Sequence, residues 1–144
     1  MAYDKAEWHS GGEYPQDLPP ENGGTHIGMF LAWAIHRGLE GEVLREDFPE
    51  ELAAVRARQM TGREFLFTCC DGKLTRDDFS DDGNAFATAY YESEDEDWGY
   101  MPDYAQLFDG QGETLYHVDD SWANYDRLVT IIDRRLAEFR ARRI

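Results

Sequence analysis

Between residues 25 and 36 the apolar side chains Ile27, Phe30, Leu31, Ala34 and Ile35 recur at the 3.6-residue period of a helix. Met29 and Trp33 widen that face, so this helix is expected to be central and nearly surrounded. Thr25 stands where an N-cap belongs, and Gly38 where a helix stops. The same period returns, longer and cleaner, at the far end. There Trp122, Tyr125, Leu128, Val129, Ile132, Leu136 and Phe139 share a face behind Ser121, a capping residue. Between these two, Pro49 suits a first helical position. Glu50 and Glu51 follow it, with Arg56 and Arg58 near the end, as a helix dipole favours. The run Thr61-Gly-Arg-Glu64 matches a capping box and leads through Phe65, Leu66 and Cys69 to Gly72. Ser80 heads a face of Ala85, Phe86, Ala89 and Tyr90. A short helix over residues 102–108 and a short strand over residues 115–118 complete the series.

Residues 1–24 read as irregular, because Pro15, Pro19, Pro20 and two Gly-Gly pairs break regular elements. Trp8, Tyr14 and Leu18 are spaced like anchors that hold this arm on the body. The pattern predicts a mainly α protein: one domain over residues 1–144, with five or six helices, an irregular arm over 1–24 and at most a short strand. The 144 residues suffice to bury a core without disulfides or metals.

Charge changes this picture from a plain helical globule to a polarised one. The formal net charge is −16, and residues 127–144 carry 6 bases against 2 acids. The rest is therefore more acidic than the total suggests. Between Asp77 and Asp126 there are fifteen acids, no Lys or Arg, and eleven aromatic residues. A disordered acidic tail lacks such rings, so this stretch should fold with its rings inside and its carboxylates outside. The resulting negative potential repels nucleic acid and anionic lipid and attracts basic proteins. No apolar run approaches the ~18 residues of a membrane span. The first ten residues carry Asp4 and Glu7 and lack an apolar core, so the expected location is cytoplasmic. Adjacent Cys69 and Cys70 read as two reduced thiols packed on a helix.

Little in the sequence points to catalysis. The histidines His9, His26, His36 and His117 show no paired metal-ligand spacing. Neither a metal nor a cofactor is expected, and no catalytic residue is assigned. Asp78, Ser80, Asp82 and Gly83 resemble the opening of a calcium loop, but Ala89 occupies the place of its closing bidentate Glu. There is no nucleophile elbow, phosphate loop or dinucleotide fingerprint.

The residues 25–34 (THIGMFLAWA), 82–91 (DGNAFATAYY) and 115–122 (LYHVDDSW), with the opening 3–9 (YDKAEWH), resemble a family of small acidic bacterial proteins without an assigned activity. In character such proteins are similar to the immunity proteins that bacteria pair with secreted toxins.

The expected function is therefore binding rather than chemistry: an immunity protein that occludes the cationic site of a toxin, for example a basic nuclease. Glu92, Glu94, Asp95, Glu96 and Asp97 would steer the partner, and Trp98 and Tyr100 would anchor it. Two other readings compete. One is a small enzyme or ligand-binding domain with a pocket near His117, Asp119 and Asp120, or near Trp8 and His9. The other is a helical adaptor that self-associates through exposed aromatics.

Overall fold

The structure, a computed structural model, describes residues 2–11 and 14–142. The chain opens with strand β1 (Ala2–Lys5), which pairs antiparallel with β2 (Lys73–Thr75) in a two-stranded sheet. The pairs are Ala2 with Thr75, Asp4 with Leu74 and Lys5 with Lys73, and the register shifts between Ala2 and Asp4. A regular strand turns successive side chains to opposite faces. Across this irregularity Tyr3 and Asp4 are both buried, which places a carboxylate in the core. One turn of helix, α1 (Ala6–His9), follows at once, and the Ala6 amide donates to the Gly72 carbonyl.

A 3-10 turn over Pro20–Gly24 feeds α2 (Thr25–His36). Every residue of α2 from Thr25 to Ile35 is buried, so the helix expected to be central is central. Thr25 does not cap it: Gly24 stands at the cap position, and the Thr25 hydroxyl accepts from Arg63 Nη1 instead. Then come α3 (Glu42–Asp47), α4 (Pro49–Arg56) and α5 (Gly62–Cys69). Thr61 and Glu64 form the expected reciprocal box at the start of α5. Two glycines bring α2 and α5 into backbone contact. A Cβ at Gly62 would lie 1.8 Å from the Gly28 carbonyl oxygen.

The acidic half holds α6 (Asp81–Tyr90), capped by Ser80, and α7 (Tyr100–Leu107). The last element, α8 (Trp122–Arg142), starts at Ser121, whose hydroxyl accepts from the Asn124 amide. One cluster of buried apolar side chains runs from Tyr3 to Leu136. Around Phe30 it is aromatic, with Trp33, Phe86, Tyr90, Tyr91 and Tyr100 ringed within 6.4 Å.

The protein is mainly α with one small sheet, as the periodicity predicts. The differences are local. The opening residues are not irregular, because β1 and α1 form there through pairing with a strand some seventy residues away. The strand expected over 115–118 is instead a 3-10 turn, Leu115–His117, whose Thr114 hydroxyl accepts from the Tyr116 amide. Of the eight α-helices described, α1 and α3 have four and six residues, too short to carry a period.

Candidate functional site

Asp4 sits at the centre of a polar cluster. Its Oδ1 accepts from the Lys5 amide at 2.8 Å and faces His9 Nε2 at 2.7 Å. Its Oδ2 accepts from the Tyr91 hydroxyl at 2.6 Å and faces His26 Nε2 at 3.2 Å. A carboxylate only accepts, so both imidazoles present Nε2–H to it. In a neutral His9 ring, Nδ1 is left to accept from the Tyr116 hydroxyl, 2.8 Å away. The Nδ1 of His26 is buried without a partner among the described residues. The two imidazoles stand edge to face, with centroids 4.5 Å apart.

Five separate elements build this cluster. The register shift in β1 turns Asp4 inward, and α1 brings His9 back over it. His26 stands at the start of α2, where the Tyr100 hydroxyl donates to its carbonyl. Tyr91 ends α6, and Tyr116 lies in the last 3-10 turn. Each of the four stretches that carry the family resemblance contributes at least one member.

Burial works against the charge of Asp4, but hydrogen bonds from His26, His9 and Tyr91 hold its carboxyl well below the usual carboxylate range. Burial also lowers the proton affinity of His26, and the contact with Asp4 only partly offsets that. The result is a charged carboxylate served by a neutral imidazole. Access comes from one side: the His9 side chain is 19% exposed, and the neighbouring Trp8 faces solvent. Trp8 is thus not an anchor of the arm; Lys5 Nζ lies over its ring instead.

The other sites expected from sequence fare differently. Glu92, Glu94, Asp95, Glu96 and Asp97 are all exposed, and none has an ion-pair partner among the described residues. Trp98 and Tyr100, expected to be surface anchors, are buried. Trp98 Nε1 donates to Glu138, and Arg142 lies over its ring; Tyr100 belongs to the aromatic core. Rings that large are worth more inside than in water, so the acidic segment folds them in. Nor do His117, Asp119 and Asp120 converge as an acid–base set. His117 Nε2 faces Asp17 at 3.1 Å, whereas Asp120 accepts from Thr61 and pairs with Arg63.

Burial raises the Cys69 thiol to about 11 and that of Cys70 further, so neither is primed as a nucleophile. A groove of about 570 Å³ is lined by Glu40, Glu42, Arg45, Arg76, Asp77 and Asp81 among others, and contains neither His9 nor His117. Among the described residues, no helix is long and apolar enough to cross a membrane.

These features define a small, acidic, mainly helical protein organised around an Asp–His–His centre whose Asp4 and His26 are buried and whose His9 is half-buried. The chain belongs to the family described as a domain of unknown function (DUF7832), which matches residues 2–118. All five residues of the cluster lie inside that match, and α8 lies beyond it. No curated protein and no solved structure matches the chain.

Proposed function

We propose that the protein binds a basic protein partner, and more specifically that it is an immunity protein that neutralises a bacterial toxin by covering a cationic active site. The observation that supports this is the uncompensated charge of residues 92–97. Six of the arginines pair with other carboxylates: Arg37 with Asp133, Arg45 and Arg56 with Glu40, Arg58 with Asp126, Arg63 with Asp120, and Arg135 with Asp103, although Arg135 also donates to the Asp97 backbone carbonyl. Among the described residues the five carboxylates of the loop have no such partner, and they face solvent, where they speed encounter with a positive surface. Because Trp98 and Tyr100 are buried, recognition there is electrostatic.

The test is a parallel capture from lysate of the source organism, using the tagged protein and a variant with all five carboxylates converted to amides. One basic protein should be retained in stoichiometric amount by the natural sequence, released by salt, and largely lost by the variant. Equal capture by both would remove the loop from the mechanism.

A second reading, a small-ligand site bordered by Trp8 and His9, is favoured by the convergence of Asp4, His9 and His26 under that surface. Thermal stabilisation by a metabolite, abolished in His9→Ala, is its expected signature.

A further inference from the structure

We propose that Asp4, His9 and His26 form a binding site for a divalent transition-metal ion of the zinc type. The inference rests on the second reading above, that this region is a binding site, and is independent of the acidic loop.

The three residues each offer one ligand atom, and these atoms all lie within 4.8 Å of one another. Zn²⁺ holds nitrogen and oxygen ligands at about 2.0–2.2 Å, so neighbouring ligands of a tetrahedral ion stand about 3.4 Å apart. The Asp4 oxygens lie 2.7 Å from His9 Nε2 and 3.2 Å from His26 Nε2. Admitting an ion therefore means opening the cluster by about 0.7 Å on the His9 side and about 0.2 Å on the His26 side.

The chemistry of the set is selective. Two imidazoles and one carboxylate suit Zn²⁺ and its first-row neighbours, whereas Mg²⁺ and Ca²⁺ prefer oxygen ligands throughout. The surroundings resemble those of ligands that hold metals. Tyr91 and the Lys5 amide fix the carboxylate, and Tyr116 fixes the far nitrogen of His9, as the hydrogen-bond partners of metal ligands do. On coordination each Nε2 gives its lone pair to the ion, and the ring proton moves to Nδ1. For His9 that proton faces the Tyr116 oxygen. For His26 it comes to the nitrogen that has no partner among the described residues. The net negative charge of the protein favours a cation at this place. Three protein ligands, with the exposed edge on the His9 side, leave a coordination position for a solvent or substrate oxygen.

A simpler alternative is that the three side chains only tie β1 to α2. Titration of the full, metal-free chain with Zn²⁺ by calorimetry separates the two, with excess Mg²⁺ present to occupy the acidic surface. The expected result is one tight equivalent. His9→Ala should weaken it at least tenfold and Tyr116→Phe roughly tenfold, the range for lost outer-shell partners. His117→Ala, which removes a histidine paired with Asp17 elsewhere, should leave it unchanged. Co²⁺ should give visible ligand-field bands in the natural protein and lose them in His9→Ala.

Because His9 is at the surface edge, its variant should remain folded, which circular dichroism checks; Asp4→Asn and His26→Ala are less suitable. Zn²⁺ binding that is equal in the natural protein and His9→Ala, or absent from both, would overturn the proposal. A metabolite shift that persists in chelator after such a failure would leave the ligand reading standing without the metal.

Discussion

The hydroxyl of Tyr91 donates to Asp4 Oδ2 at 2.6 Å, joining the end of α6 to the first strand across 87 residues of chain. Both groups are buried, so the bond is made to a charge that water does not screen. Tyr91→Phe keeps the ring and its packing on Phe30 and Tyr100 and removes one donor. The expected cost is about 1.5–3 kcal/mol, the range for a hydrogen bond to a charged group. Urea unfolding at neutral pH measures it.

The α2–α5 contact is set by backbone. At Gly62 an added Cβ would meet the Gly28 carbonyl at 1.8 Å, and at Gly28 it would meet the Arg63 amide nitrogen at 2.3 Å. Neither neighbour is a side chain that can swing aside. Gly62→Ala should destabilise the protein by about 3 kcal/mol or more, at the upper end of overpacking effects. Gly11→Ala, which meets nothing within 4 Å, should change stability by less than about 0.5 kcal/mol. Thermal melts of the two variants give the comparison.

Arg135 holds the buried carboxylate of Asp103 through two bonds of 2.9 and 3.0 Å, and Tyr90 donates to the same group. Arg135→Leu strands that charge among apolar neighbours. A loss of about 3–5 kcal/mol is expected. The double variant with Asp103→Leu should recover part of it, since the unpaired charge is then gone. A double-mutant cycle by chemical denaturation checks both statements.

Two groups give stability opposite dependences on pH. Burial lowers the proton affinity of His36, and Arg58, Arg37 and Arg56 reinforce this, although the Val55 carbonyl acting on Nε2 opposes it. The unfolded ring takes a proton near 6.5, and the folded ring does so only at lower pH. Stability from His36 is therefore present above 6.5 and lost as pH falls through the folded value. Burial raises Asp78 from 3.8 to about 6, so its contribution is fully present below 3.8 and lost as pH rises to about 6. Melting curves between pH 4 and 7 (about the window these two groups span) should show it. His36→Gln should flatten the acid-side loss, and Asp78→Asn should flatten the opposite slope.

The legible parts of this protein were those that rest on local chemistry. The periods of α2 and α8, the box at Thr61 and Glu64, and the caps at Ser80 and Ser121 all depend on residues a few positions apart. Most rings of the acidic half lie inside, as their number implies, with Tyr116 and Trp122 half-buried. Trp98 and Tyr100 follow the same rule, although the acidic run beside them points to a surface. Burial there follows from packing on α8 and Phe30, which no local pattern encodes.

The helical class, the main caps and the strong negative charge follow from residue order alone, because period, capping and charge are properties of neighbouring residues. The Asp–His–His centre exists only once the chain is folded. Asp4 and His26 lie 22 residues apart, Asp4 and Tyr91 lie 87 apart, and His9 and Tyr116 lie 107 apart. Asp4 reaches them because β1 shifts register against a partner strand and turns two successive side chains into the core. That shift is a consequence of pairing, and pairing is chosen by the whole fold.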